Sequence, residues 1–132
     1  MADPGDGRAP RVCAKLDFDN VGGSESAKTT VTLQGGGTIT SAYVLHGFLL
    51  RRTSGTDGSL SVTVRFYDDD AAGALLYELT ATLAANNDIM LKTGLEIPLG
   101  MPAFVALRAS VQDDGADTDY DLYTYLHPNR VV

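Results

Sequence analysis

Five aspartates crowd nine consecutive positions near the end of this 132-residue chain, and they form its densest group of potential ligands. Calcium binds six to eight oxygens, and alternate aspartates in one loop can supply several of them. The EF-hand pattern is not followed, because no glycine and no closing glutamate stand in register. We therefore predict a solvated acidic loop and no metal site, with calcium kept as the weaker alternative. The candidate ligands are Asp113, Asp114, Asp117, Asp119 and Asp121.

The two histidines, His46 and His127, lie far apart in the sequence. Nucleophilic catalysis needs a base within hydrogen-bonding reach of a nucleophile and a third group that orients the base. No nucleophile-elbow motif accompanies either histidine, and neither has a metal-ligand spacing. We interpret His46 as a core or interface residue and His127 as a residue of the C-terminal tail. No catalytic residue, cofactor-binding residue, cofactor or enzymatic activity is predicted.

Tyrosines close to the acidic loops raise the alternative of carbohydrate binding, since aromatic side chains can serve as platforms for sugars. Tyr123 and Tyr125 share one face of a predicted strand, opposite Leu122 and Leu126. Partly buried strand tyrosines are the simpler interpretation. The tyrosines considered are Tyr67, Tyr77, Tyr120, Tyr123 and Tyr125.

Composition and charge restrict the class of partner. The formal net charge of −7 argues against nucleic acid, because phosphate binding requires a basic stripe. No apolar run approaches the roughly 20 residues of a membrane-spanning helix, and no secretory signal is recognised at the start. Cys13, the single cysteine, cannot form an internal disulfide. It is expected to be a small strand residue, opposite in phase to the apolar residues beside it.

Strands are the elements that must position these side chains. Residues 59–83 contain two rows of alternating apolar residues on either side of the acidic turn at Asp68, Asp69 and Asp70. Successive side chains of a strand face opposite sides of a sheet, so each row predicts a strand with one buried face. The rows are Leu60, Val62, Val64 and Phe66, and then Leu75, Tyr77, Leu79, Ala81 and Leu83.

Residues 38–52 form the longest apolar segment, which we interpret as one or two strands buried on both faces and bent at Gly47. Turn signals recur at roughly ten-residue intervals, which predicts about eight strands. The predicted fold class is all-β, a single antiparallel β-sandwich of jelly-roll type with negligible helix. Its expected core includes Leu16, Val31, Leu33, Val44, Phe48, Val62, Val64, Phe66, Leu79, Val105 and Leu107.

The first eleven residues are rich in glycine, aspartate and proline, and such a segment cannot pack a core of its own. We predict a flexible N-terminal arm at 1–11, followed by the β-sandwich domain at 12–132. An ordered arm would need an extended contact, and pairing with the sheet edge of a neighbouring subunit is the simplest one. The predicted partner-binding residues are Asp3, Pro4, Arg8, Pro10 and Arg11.

The central third of the chain resembles small β-sandwich structural proteins of tailed bacteriophages. The resemblance is carried by residues 64–68 (Val-Arg-Phe-Tyr-Asp), 73–77 (Gly-Ala-Leu-Leu-Tyr) and 92–99 (Lys-Thr-Gly-Leu-Glu-Ile-Pro-Leu). The resemblance implies a non-enzymatic virion protein made in the host cytoplasm. Among virion roles, it favours a capsid decoration (cement) protein. The implied partners are the major capsid protein or other virion proteins. The implied assembly is a homo-oligomer, and a trimer is the preferred oligomer.

Two alternatives remain open at this point. One is a neck, tail or fibre accessory protein of the virion, and the other is a carbohydrate-binding module for host recognition. The resemblance assigns no catalytic residues.

Overall fold

The computed structural model describes residues 11–34, 39, 43–68, 73–99 and 106–128. All regular structure in these ranges is β-strand, and no helix capable of crossing a membrane occurs within them. The strands are β1 (Arg11–Val12), β2 (Leu16–Val21), β3 (Thr29–Thr30), β4 (Tyr43–Ser54), β5 (Leu60–Asp68), β6 (Ala74–Leu83), β7 (Ile89–Lys92), β8 (Ile97–Pro98), β9 (Leu107–Gln112) and β10 (Thr118–Pro128).

The strands form two antiparallel sheets. In the first sheet, β10 and β4 are central, β1 and β2 pair with successive parts of β10, and β7 and β8 pair with successive parts of β4. Each of these short pairs therefore acts as one interrupted edge strand. The second sheet has the order β3-β9-β5-β6. Two four-stranded sheets connected in this order make a jelly roll, and the predicted fold class is confirmed.

The core lies between the inner faces of the two sheets. Phe48 of the first sheet meets Phe66 of the second with ring centroids 5.2 Å apart, and Tyr77 lies 6.3 Å from Phe48. The predicted core residues Val31, Val44, Phe48, Val62, Val64, Phe66 and Leu107 are buried. Leu16, Leu33 and Leu79 pack against this core while partly exposed. The prediction for Val105 falls outside the described residues.

Two predictions of side-chain direction are wrong because the strands are irregular. A register shift between β5 and β6 pairs Phe66 with Tyr77 but Tyr67 with Leu75, so the alternation fails at that point. Leu75 is consequently 51% exposed. The residues between β1 and β2 likewise interrupt the alternation of inward- and outward-facing side chains along this edge of the first sheet. As a result, Cys13 lies in the core. Burial raises the pKa of the Cys13 thiol to about 11, which leaves it almost entirely protonated at neutral pH.

The predicted bend at Gly47 is present as a β-bulge in β4. Tyr125 of β10 pairs with Gly47, whereas the next residue, Leu126, pairs with Leu45, so His46 is the extra residue. A Cβ atom on residue 47 would lie 2.3 Å from the carbonyl oxygen of Lys92, and only glycine fits. The bulge changes the phase of the strand and leaves His46 half-buried rather than in the core.

The most deeply buried charge is the guanidinium of Arg52, at the end of β4. It donates hydrogen bonds to the carbonyl oxygens of Gly58 (2.7 Å), Leu83 (3.1 Å) and Asp57, and to Oδ1 of Asn86 (3.1 Å). One side chain thus connects the β4–β5 loop to the β6–β7 turn, and it satisfies carbonyl groups from both.

Candidate functional site

The outer face of the first sheet carries exposed apolar side chains and charged side chains. Hydrogen-bonded register places them in cross-strand rows, because directly opposite residues of neighbouring strands point to the same face. Tyr123 of β10 lies opposite Leu49 of β4, and Leu49 lies opposite Leu91 of β7. We call these three residues the apolar row.

The apolar row is open to solvent at its β7 end. Leu91 is 55% exposed, and Ile89, in the neighbouring row of the same strand, is 50% exposed. Leu49 and Tyr123 are half-buried. A contiguous group of exposed apolar side chains on one sheet face is characteristic of a surface that contacts another molecule.

A charged row borders the apolar row on the same face. Asp121 of β10 lies opposite Arg51 of β4 and forms an ion pair with it at 3.2 Å. Lys15 lies 3.8 Å from Asp121 and 3.3 Å from Asp17. These opposite charges are largely paired within the chain, so this part of the face is polar without a strong excess of either sign.

A third group of side chains, His46, Glu96 and His127, lies where β10, β4 and the segment before β8 meet. Glu96 is placed between the imidazoles: its Oε2 is 3.5 Å from Nδ1 of His46 and its Oε1 is 3.4 Å from Nε2 of His127. The two rings are in edge contact, with centroids 5.6 Å apart. The expectation that His127 belongs to a tail is wrong, because β10 extends to residue 128.

This histidine cluster was missed in the sequence because three separate segments build it: β4, β10 and the segment before β8. The one available signal was Gly47 inside an apolar strand, which indicated an irregularity next to His46. Strand order, which places residue 127 beside residue 46, cannot be inferred from the spacing of two histidines.

The acidic loop does not bring its five aspartates together. The carboxylate of Asp113 is buried and accepts hydrogen bonds from the Tyr120 hydroxyl (2.7 Å) and the Gly115 amide (2.9 Å). Burial, followed by the adjacent Asp113 carboxylate, raises the pKa of the Tyr120 hydroxyl and keeps it a donor. Asp114 instead accepts from the amide of Ser61 at 3.0 Å.

The three remaining aspartates also point to different partners. Asp119 accepts from the amide of Asn20 (3.0 Å) and the hydroxyl of Ser54 (2.8 Å), and Asp121 pairs with Arg51. Asp117 is exposed and has a left-handed backbone, with φ of 54°. In the part of the chain that the structure describes, the three-ligand group close enough for a metal ion is His46, Glu96 and His127, and none of these aspartates belongs to it.

A polar cluster on the second sheet is centred on Glu25. Its carboxylate accepts hydrogen bonds from the hydroxyls of Tyr67 (2.5 Å) and Ser110. Partial burial alone would raise the pKa of the Glu25 carboxyl, but these two hydrogen bonds, with Arg65 and Lys28 nearby, lower it. Since Tyr67 is itself buried, we interpret this cluster as structural support for the loop before β3.

Of the predicted partner-binding residues, Arg11 alone falls within the described ranges, where its backbone opens β1 opposite Leu126. The other four, Asp3, Pro4, Arg8 and Pro10, lie outside them.

Comparison with known proteins bears on the fold of the chain. No protein-family model matches the sequence, and no curated protein does. The structure is similar to a chain from the disulfide-linked pili of Bacillus endospore appendages, with a TM-score of 0.50 and 14% identity over 93% of this chain and 91% of that one. A chain from infectious bursal disease virus, Gt strain, matches with a TM-score of 0.33 and 12% identity over 93% of this chain and 37% of that one.

The class defined by the fold and the first of these similarities is a small β-rich protein of the jelly-roll type. The pilus similarity covers nearly the whole of both chains, so it concerns the entire arrangement of strands and not a single motif.

Proposed function

We propose that this chain is a non-enzymatic structural protein of a tailed-phage virion, and specifically a decoration protein that stabilises the capsid by protein–protein contacts. The observation that carries the proposal is the exposed apolar row on the outer face of the first sheet, extended by Ile89. An isolated soluble domain gains nothing from such a surface, whereas an assembled protein buries it.

Three further observations support a structural role. The fold is similar to that of a protein whose solved structure is a pilus, and pili are built from repeated subunits. Two side chains with reactive chemistry are committed to the fold, since Cys13 is buried and Asp113 is hydrogen-bonded to Tyr120. The sequence resemblance to phage structural proteins includes β5, β6 and β8, which the structure places in both sheets.

The apolar row provides a direct test. Replacement of Leu91 or Ile89 by aspartate is expected to reduce binding to expanded phage heads at least tenfold, because a charge would be buried in the contact. Head binding is measured by co-sedimentation, and head stabilisation by the melting temperature of the particle. The matched control is Leu75→Asp, since Leu75 is similarly exposed (51%) but lies on the second sheet.

Equal binding by all three variants would contradict an assembly role for the outer face. Binding to a glycan array without binding to heads would favour the carbohydrate-recognition alternative. Binding to isolated tails or necks, and not to heads, would favour the accessory-protein alternative.

We also propose that the protein works as a homo-oligomer, with a trimer as the preferred oligomer. In this oligomer, residues 1–11 form an arm that contacts a neighbouring subunit. A deletion of residues 1–10 tests this while leaving β1 paired with β10. Light scattering is expected to show a smaller assembly than the full chain forms, because the arm's contact is lost. An unchanged mass together with unchanged head binding would contradict the role of the arm.

A further inference from the structure

We propose that His46, Glu96 and His127 form a binding site for a late first-row divalent cation, and that Zn²⁺ is the cation that fits best. The potential ligand atoms of the three side chains all lie within 4.8 Å of one another. Two imidazoles and one carboxylate are a common set of three protein ligands for zinc, which leaves a fourth position for water. The inference is independent of the proposed virion role.

The distances suit a tetrahedral centre. Zinc bonds to nitrogen and oxygen of about 2.0–2.1 Å place neighbouring ligand atoms about 3.4 Å apart. The carboxylate of Glu96 already lies 3.5 Å from Nδ1 of His46 and 3.4 Å from Nε2 of His127. Glu96 is 65% exposed at its side chain, so it can rotate to bring one oxygen onto the ion without disturbing the core.

An unsatisfied atom points to a ligand independently of these distances. Nδ1 of His46 is buried and has no hydrogen-bond partner, although Oε2 of Glu96 lies 3.5 Å away. A buried polar atom without a partner costs free energy, and a coordinated cation would remove that cost. Imidazole nitrogen also favours Zn²⁺, Cu²⁺ or Ni²⁺ over Ca²⁺ and Mg²⁺, which prefer oxygen.

The backbone holds the three residues in place. The amide of Leu95 donates to the carbonyl oxygen of His46 (2.9 Å), and Ile97 pairs with Leu45, which also pairs with Leu126. The bulge at Gly47 turns His46 away from the core, as β-bulges often do for functional side chains. A bound ion would connect β10, β4 and the segment before β8, where the edge strand has only two residues.

The test uses the full-length protein, freed of any affinity tag and treated with EDTA. Titration with Zn²⁺ against a chromophoric chelator is expected to give one ion per chain and a rise in melting temperature of roughly 5 °C at saturation. Co²⁺ is expected to give the intense visible absorption of a four-coordinate site. Ca²⁺ and Mg²⁺ are expected to change neither signal.

Three single variants, His46→Gln, His127→Gln and Glu96→Gln, are each expected to weaken Zn²⁺ binding at least tenfold. The matched control, Glu78→Gln, alters an exposed glutamate on the second sheet and is expected to bind as the parent does. Glu96→Gln keeps the test decisive if a histidine variant fails to fold, because residue 96 is exposed. Lack of saturable binding by the parent, or full affinity in any of the three variants, would overturn the assignment.

Discussion

Replacement of Arg52 by methionine is expected to lower the free energy of unfolding by about 3–5 kcal/mol. Methionine fills much of the same volume but donates no hydrogen bond. The carbonyl oxygens of Asp57, Gly58 and Leu83 would then lose their donor, at a buried position for Leu83 and at part-buried positions for the other two. Since the same guanidinium connects the β4–β5 loop to the β6–β7 turn, both should loosen together. Urea denaturation followed by circular dichroism measures the change in midpoint.

The adjacent arginine gives a matched control for this prediction. Arg51→Met removes the same charge, but the side chain of Arg51 is 44% exposed and its partner Asp121, itself nearly buried, keeps Lys15 at 3.8 Å. An ion pair whose arginine is this exposed contributes little, and Lys15 still lies close to the Asp121 carboxylate, so a change of about 1 kcal/mol or less is expected. Similar losses in the two variants would show that the buried hydrogen bonds of Arg52 are not what stabilises this end of the sandwich.

Replacement of Gly47 by alanine is expected to destabilise the protein by about 3 kcal/mol. The new methyl group would lie 2.3 Å from the carbonyl oxygen of Lys92 and 3.1 Å from Cα of Thr93, and both are backbone atoms that cannot rotate away. The edge strand β7 would have to separate from β4. Thermal unfolding should therefore begin earlier, and the amides of residues 89–92 should exchange faster with deuterium.

Gly23→Ala is the control for the alanine substitution itself, because a Cβ atom at residue 23 would meet nothing within 4 Å. At an unstrained position this change alters stability by less than about 1 kcal/mol. Equal stability of the two variants would mean that the close approach of β4 and β7 at Gly47 is not required.

The sequence predicted the sandwich well because burial follows a period of two wherever a strand is regular. Leu60, Val62, Val64 and Phe66 are all buried as that period requires. The predictions failed at irregular positions, where one extra residue reverses the alternation. The bulge near Leu75 exposes a residue expected to be buried, and the break after Cys13 places it in the same core as Phe18, with which the sequence had it out of phase.

The candidate sites show a different limit. The acidic loop was visible as a cluster in sequence, but hydrogen bonds to distant backbone amides, such as that of Asn20 to Asp119, draw its carboxylates apart. The histidine cluster depends on which strands are neighbours and on one bulge. Gly47 indicates the bulge locally, but the order of the strands is not encoded locally, so no spacing rule applied to His46 and His127 could have brought them together.

The position of β10 in the first sheet has a consequence for how the chain must fold. β10 lies between β2 and β4, and its registers join Arg11 to Leu126 and Asp17 to Asp121, more than a hundred residues apart in sequence. During synthesis the first sheet therefore stays open in the middle until residues 118–128 have left the ribosome. Until then β2 and β4 each present an unpaired edge. The chain between β2 and β10 is the loop that must close, and long loops close slowly. The nascent chain is most exposed to misassembly in the interval between the emergence of β4 and the emergence of β10.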